Sequence, residues 1–187
     1  IGGLKLIKSM AAPYVNMKFM PTGGINANNL NDYLAYDRII ACGGSWMVSG
    51  ALVDAGKYDE ITALTKEAVN NMLGFRIKHI GINSADKAAA ENTAKAFSSM
   101  FGFDKRETDV SYFCGEGVEV MKSQGRGTMG HIAVGCNSVD RAVFHLQARG
   151  VEFDMDTAAY TDKGALKFIY IKGEFGGFAV HLTQNAN

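Results

Sequence analysis

The sequence predicts two segments of different fold class: an α/β segment over residues 1–73 that forms part of a (β/α)8 barrel, and an α+β segment of two βαβββ modules over residues 75–187. Two observations support this division. Up to about Leu73, strand and helix patterns alternate, which is typical of parallel strands joined by crossover helices. From Phe75 onward, the chain instead repeats one strand, one helix and three strands.

The composition predicts a globular protein that acts on small molecules. Hydrophobic residues make up 47% of the 187 residues, and Lys plus Arg and Asp plus Glu number 19 each, without a basic run. These values argue against a disordered chain and against nucleic acid or an anionic membrane as a partner. No apolar run approaches the roughly 20 residues of a membrane span. We therefore expect a cytoplasmic protein, with reduced cysteines because the three are widely spaced and form no CxxC pair.

The first segment contains two predicted strand–helix units. Residues 15–20 and 38–44 have the pattern of buried strands, and each is followed by a helix, over residues 26–36 and 58–73. An Asn cap begins the first of these helices, and Gly74 ends the second.

Two glycine-containing loops, "PTGGI" and "GGSW", follow the two predicted strands. Because the carboxyl ends of parallel strands meet at one edge, their backbone N–H groups are expected to point into one anion site, as in the phosphate site of a (β/α)8 barrel. A tight turn is the alternative for either loop alone. The candidate phosphate-binding residues are Gly23, Gly24, Gly44 and Ser45.

Residues 2–69 resemble the C-terminal third of the 2-keto-3-deoxy-6-phosphogluconate (KDPG) and 4-hydroxy-2-oxoglutarate (KHG) aldolases, through "GGLK", "FMPTGGI", "ACGGSW" and "DEITALTKEAV". The resemblance implies that the two loops hold the phosphate of a sugar acid and that Thr22 contacts its keto-acid end. It also implies that the parent protein is a lyase. In that family a lysine forms a Schiff base with the 2-keto acid and a glutamate shuttles protons, both on strands that would precede Ile1.

This chain alone is therefore expected to lack aldolase activity. Lys5, Lys8 and Lys18 are interpreted as helix-surface or packing residues, because a Schiff-base lysine needs a desolvated position facing the substrate. Two strand–helix units also cannot close a barrel of eight strands, so we expect their exposed edges to drive homo-oligomer formation.

The second segment carries four metal-competent side chains at equivalent positions of its two modules. "HIGI" and "HIAV" open the modules, while "VEVM" and "VHLT" lie in their last strands. Alternation with apolar neighbours leaves each polar side chain alone on its strand face, where a shared cation would satisfy it. A hydrogen-bonded strand residue is the alternative for any one of them. The predicted ligands of a divalent metal ion are His79, Glu119, His131 and His181.

Residues 76–184 resemble the vicinal oxygen chelate superfamily, which includes glyoxalase I, methylmalonyl-CoA epimerase and extradiol dioxygenases, through "KHIGI", "VEVM", "GHIAV" and "AVHLT". In glyoxalase I the corresponding ligands are usually His or Gln, Glu, His and Glu, so His181 departs from the pattern. The departure removes the carboxylate that serves there as the base. It favours a 2-keto or hydroxy-keto acid bound through adjacent oxygens, with Zn, Ni, Fe, Co or Mn as the metal.

Two further features of the second segment have competing interpretations. The connector Ser123–Gly130 is predicted either to close over the site, with Arg126 reaching for a carboxylate, or to be a flexible link. Five aromatic residues are predicted to form sheet core, with substrate stacking as the alternative: Tyr112, Phe113, Phe168, Tyr170 and Phe178.

Three functional hypotheses follow from the sequence. The first is a fragment of a KDPG or KHG aldolase with a fused metal-binding oxygen-chelate domain. The second is a non-catalytic module that binds metal and a sugar acid, or that assembles subunits around the barrel. The third is a purely structural second domain without metal. Turnover distinguishes the first from the second, and elemental analysis tests the third.

Overall fold

The computed structural model describes residues 2–185, and the chain divides into two compact units, Ile1–Leu73 and Gly74–Asn187. The first unit contains the helices α1 (Gly3–Ala11), α2 (Leu30–Leu34), α3 (Gly50–Asp54) and α4 (Tyr58–Leu73). Helix α4 has the predicted bounds, and the chain leaves it through Gly74 in the left-handed conformation, at φ 60°.

The two strands predicted in the first unit do not form, and this part of the prediction was wrong. Their place is taken by two isolated parallel bridges, Phe19 with Ile39 and Thr22 with Gly43. The bridges have the parallel direction that the alternation predicts. A pair of strands without neighbours on either side has too few ladder hydrogen bonds to form a sheet, so the described residues contain no barrel.

The helix predicted over residues 26–36 shortens to α2, and Asn29 does not cap it through its side chain. The Asn29 side chain instead accepts a hydrogen bond from the Asn26 backbone N–H and donates one to the Gly24 carbonyl. The Asn29 side chain therefore bonds to the loop before α2 rather than to the helix.

The second unit follows the predicted order of one strand, one helix and three strands, twice. The first module comprises β1 (Arg76–Ile82), α5 (Lys87–Phe101), β2 (Lys105–Glu107), β3 (Ser111–Cys114) and β4 (Val118–Met121). The second comprises β5 (Gly130–Cys136), α6 (Val139–Gln147), β6 (Phe153–Tyr160), β7 (Leu166–Phe175) and β8 (Phe178–Gln184). Ser138 caps α6 by accepting a hydrogen bond from the Arg141 N–H.

All eight strands belong to one mixed sheet with the order β2-β3-β4-β1-β5-β8-β7-β6. The two modules meet at the antiparallel pair β1–β5 in the middle of the sheet. On either side, the first strand of each module pairs in parallel with its own last strand, β1 with β4 and β5 with β8. The order therefore reads the same outward from the centre in both directions.

The helices of the second unit cover one face of this sheet. Ala90 and Ala94 of α5 pack on Tyr112, Cys114 and Val120, and helix α6 contacts β7 and β8. Because side chains alternate along a strand, the residues next to these core positions point to the opposite face. That face carries the candidate metal centre. No helix among residues 2–185 is long and apolar enough to cross a membrane.

Candidate metal centre

The structure brings the four predicted ligands onto four neighbouring strands and one face of the sheet. Glu119 on β4 and His131 on β5 are both register partners of Gly81 on β1. His79 on β1 and His181 on β8 are both register partners of Ala133 on β5. The four side chains thus form two adjacent rows, with one small residue in the middle of each.

Three of the four side chains converge on one point. His79 Nε2 lies 3.2 Å from His131 Nε2, and both nitrogens approach Oε2 of Glu119, at 3.2 Å and 3.1 Å. These three atoms form a nearly equilateral triangle. The rings of His79, His131 and His181 also offer nitrogens that all lie within 4.8 Å of one another.

His181 is buried beside this triangle and is held neutral. Its ring lies 5.3 Å from that of His131 and 4.5 Å from that of Phe168, measured between centroids. Burial, with the neighbouring His131 and His79 as further causes, lowers the pKa of His181 to about 3. Its Nδ1 has no hydrogen-bond partner among the described residues, although it is inaccessible to solvent. A neutral imidazole with an unpaired nitrogen is the form that binds a metal ion.

Glu119 is the acidic member of the group and is ionised. Burial raises the pKa of its carboxyl, but hydrogen bonds to His131, His79 and Ser111 outweigh this and hold the pKa well below its usual range. The Ser111 hydroxyl donates to Oε1 at 2.6 Å, which leaves Oε2 facing the two imidazoles. The carboxylate is therefore oriented by a residue outside the predicted set.

The arrangement fits a divalent cation. Two ligand atoms bound at about 2.0–2.2 Å with tetrahedral or octahedral angles lie about 2.8–3.6 Å apart. The observed separations of 3.1–3.2 Å fall in this interval. Imidazole and carboxylate are ligands that Zn, Ni, Fe, Co and Mn accept. The structure thus places three histidines where they could hold a metal ion.

Several residues around the centre were missed or assigned otherwise from the sequence. Ser111 was not singled out. Phe113, Phe168 and Tyr170 were assigned to the sheet core, yet their rings lie against His79 or His181, at centroid distances of 4.5–5.5 Å. Tyr112 does belong to the core, with 1% of its surface exposed. Neighbouring aromatic positions on β3 therefore divide between core and site, because they face opposite sides of the sheet.

A cavity of about 270 Å³ opens beside the centre. Two of its lining residues, Tyr170 and Ala179, are register partners of His181 and His131 respectively. Two residues that line the cavity are therefore direct cross-strand neighbours of two candidate ligands. Its polar and charged lining comes from Arg126, Asp154, Lys172 and Glu174.

Two residues of the connector Ser123–Gly130, Arg126 and Gly127, line this cavity. Asn83 donates a hydrogen bond to the carbonyl of Gly127 and accepts one from the N–H of Gly125. The carboxylate that Arg126 contacts is that of Asp154, at 2.8 Å, while its guanidinium lies 4.9 Å from the centre of the Tyr170 ring. These contacts hold the middle of the connector, from Gly125 to Gly127.

In the first unit, the two glycine-containing loops lie side by side because Thr22 bridges to Gly43. Gly23 and Gly24 have positive φ values of 78° and 72°, so the first loop needs its glycines. The Trp46 ring lies over Gly44, within 1.8 Å of where a β-carbon would be. The neighbourhood of the two loops, with Ser45 in the second, agrees with the predicted anion site, whose ligand role stays a prediction.

The lysines of the first unit lie in solvated surroundings. Lys18 donates a hydrogen bond to the Asp37 carbonyl at 3.2 Å in an exposed position. The ammonium of Lys8 lies 5.6 Å from the centre of the Tyr36 ring.

Comparison with known proteins finds relatives of the first unit. Residues 1–64 match the family model of KDPG and KHG aldolases. The chain is 46% identical to the 2-dehydro-3-deoxy-phosphogluconate aldolase of Haemophilus influenzae over 69 residues, which is 37% of this chain and 32% of that protein. It is 46% identical to the KHG/KDPG aldolase of Escherichia coli over 68 residues, 36% of this chain and 32% of that protein. The chain therefore spans about a third of the length of the curated relatives it matches.

Solved structures similar to this chain include methylmalonyl-CoA epimerases. That of Streptomyces coelicolor in complex with 2-nitronate-propionyl-CoA has a TM-score of 0.45 and 18% identity, and covers 60% of this chain and 98% of its own. That of Mycobacterium tuberculosis has a TM-score of 0.42 and 17% identity, over 59% of this chain and 88% of its own.

Proposed function

We propose that the second unit binds one divalent metal ion through His79, Glu119, His131 and His181, and that this centre takes a ligand with two adjacent oxygens, such as a 2-keto or hydroxy-keto acid. The observation that carries the proposal is the triangle of His79 Nε2, His131 Nε2 and Glu119 Oε2, with all three separations at 3.1–3.2 Å. Three acceptors that share one point need either protons or a cation between them, and one cation satisfies all three.

The donor set favours chelation of an oxygen pair over proton transfer by a second carboxylate. Three neutral imidazoles and one carboxylate leave a divalent ion with a net positive charge, which polarises a chelating oxygen pair when the ion is bound. His181 stands where a glyoxalase has its base, and its pKa of about 3 makes it a weak base near neutral pH. Its contribution is to hold one more neutral nitrogen at the centre.

The surrounding side chains supply a binding site for the rest of the ligand. Phe168 and Tyr170 form an apolar wall against His181, which limits access of water from that side. The adjoining cavity of about 270 Å³ has room for a small acid. Arg126 is already paired with Asp154, so we assign it to shaping the cavity wall rather than to binding a substrate carboxylate.

The proposal is tested by comparing two histidine variants after removal and return of metal. His131→Ala removes a ligand and is expected to weaken metal binding strongly, whereas His145→Ala, on α6 and paired with Arg149, is expected to bind as the unaltered protein does. Elemental analysis gives the stoichiometry, and titration gives the affinity. Equal metal content in both variants would refute the centre, and absence of metal from the unaltered protein as well would favour a structural second domain.

We further propose that the chain belongs to a KDPG or KHG aldolase, a lyase, in which the first unit holds the phosphate of a 2-keto sugar acid through Thr22 and the two glycine-containing loops. The support is the family match over residues 1–64 and the bridge that joins the loops. Trp46 is the single tryptophan of the sequence and lies over Gly44, so its fluorescence reports on this loop. Saturable quenching by inorganic phosphate supports the proposal, and an unchanged spectrum contradicts it.

The alternative is a non-catalytic module that binds metal and a sugar acid, or that assembles subunits. Val15, Met20 and Ile40 of the first unit are each about 60% exposed, which supports homo-oligomer formation through this unit. Light scattering gives the oligomeric state. Metal-dependent turnover of a 2-keto acid favours the enzyme, and binding without turnover favours the module.

A further inference from the structure

We propose that Gly81 is a positioning residue of the metal centre: because it has no side chain, the His131 imidazole extends across β1 and meets Glu119 on the far side. The inference rests on the metal-binding function proposed above. It assigns a role to a residue that offers no ligand atom.

The distances between strands make such a residue necessary. Gly81 pairs with Glu119 on one side and with His131 on the other. Neighbouring strands lie about 4.8 Å apart, so the backbones of Glu119 and His131 are separated by about 10 Å. Their functional atoms nevertheless lie 3.1 Å apart. Both side chains must therefore lean over β1, and Gly81 in the middle must place no side chain of its own in that space.

That space is filled by the His131 ring. A β-carbon on Gly81 would lie 2.1 Å from Cε1, 2.3 Å from Nδ1 and 2.5 Å from Nε2 of His131. Non-bonded carbon atoms normally approach to about 3.5–4.0 Å. The ring has little room to move away, because His131 is 6% exposed and its ring lies against the rings of both His79 and His181.

The effect of a side chain at this position would act through the ring rather than through the backbone. Gly81 does not have a positive φ, so alanine can adopt its backbone conformation without strain. The other row of the site follows the same rule with a slightly larger residue. Ala133, which is fully buried, lies between His79 and His181.

Gly81→Ala, with Gly117→Ala as the matched control, tests the inference on metal binding. Gly117 precedes β4, does not have a positive φ, and has nothing within 4 Å of an added β-carbon. Co²⁺ is the probe, and its absorption spectrum reports the ligand geometry. Gly81→Ala is expected to weaken Co²⁺ binding by about 10- to 100-fold or more and to change the spectrum, while Gly117→Ala changes neither. An unaltered affinity and spectrum in Gly81→Ala would overturn the inference.

A second measurement needs no metal and therefore separates this inference from the proposed function. In a double-mutant cycle on the metal-free protein, Gly81→Ala is expected to destabilise the chain when His131 is present and to be tolerated in the His131→Ala background. Urea unfolding gives the four stabilities. Strictly additive effects would show that the ring and Gly81 do not interact. If Gly81→Ala alone does not fold, rescue by His131→Ala supports the inference and failure of rescue overturns it. Absence of Co²⁺ binding by the unaltered protein would refute the metal function alone.

Discussion

Ser111 and Glu119 are both buried and joined by a hydrogen bond of 2.6 Å, from the serine hydroxyl to Oε1 of the carboxylate. This bond fixes the carboxylate so that Oε2 faces His79 and His131. Ser111→Ala is therefore expected to lower metal affinity by about 10- to 100-fold while leaving the ligand set intact. Competition with a chromogenic chelator measures the change. Ser99→Ala, on the exposed side of α5, is the control, and equal affinities in the two variants would contradict this role.

Gly127 in the connector is expected to be far less replaceable than Gly164, although their φ values, 77° and 80°, are nearly the same. Alanine in a left-handed conformation costs about 1–2 kcal/mol at either position. At Gly127 the added carbon would also lie 2.0 Å from the Gly130 carbonyl oxygen and 2.5 Å from the Ala179 nitrogen, whereas at Gly164 it meets nothing within 4 Å. Urea unfolding of the two variants should therefore show a larger loss of stability for Gly127→Ala. Equal losses of stability would contradict this expectation, because they would mean that the backbone around Gly127 shifts to make room for the added carbon.

The three cysteines should differ in reactivity according to how deeply each is buried. Burial raises the pKa of the Cys136 thiol to about 11 and also raises the pKa of Cys114, while Cys42 is partly exposed. At pH 8, iodoacetamide is expected to modify Cys42 in the folded protein and all three cysteines in urea, as peptide masses will show.

The same pKa shift gives a pH dependence of stability. In the unfolded chain, Cys136 ionises above about pH 8.5, whereas in the folded protein it stays protonated up to about pH 11. The folded state therefore loses stability relative to the unfolded state as the pH rises between these values. Rapid modification of Cys136 in the folded protein at pH 8 would contradict both expectations.

The 187-residue chain is expected not to form a Schiff base with pyruvate. A lysine nucleophile needs a desolvated position, and Lys18 is exposed and donates to the Asp37 carbonyl. Borohydride reduction in the presence of pyruvate, followed by intact mass measurement, tests this, with the Escherichia coli KHG/KDPG aldolase as the reference protein. A stable pyruvate adduct on this chain would contradict the expectation.

The features that the sequence predicts well are those decided by local pattern. Helix α4 has the predicted bounds because its apolar spacing and its acidic first turn lie within its own residues, and Gly74 follows directly. The second unit is predicted equally well, since each module repeats the same order of elements and Glu119 alternates with core residues such as Val120. The strands of the first unit fail for the opposite reason. Their hydrogen bonds depend on neighbouring strands that the described residues do not contain.

The residues that support the candidate ligands are brought to them by strand register, so the sequence alone does not reveal them. Ser111 reaches Glu119 because β3 and β4 pair antiparallel, and Gly81 lies under His131 because β1 and β5 pair with one particular offset. Neither offset can be obtained from local pattern. The same holds for Phe168, whose contact with His181 requires β7 to pair with β8.

The antiparallel pairing of β1 with β5 has a consequence for folding. A slip of one residue along β5 would turn His131 to the helix-covered face and bring Ile132 to the other, since successive side chains point to opposite sides. Such a chain would still bury apolar surface on both faces, but it would have lost one of the four candidate ligands. A cation that binds only the native pairing stabilises that pairing over the slipped one. Metal present during refolding would therefore favour the native alignment of β1 with β5 over the slipped one.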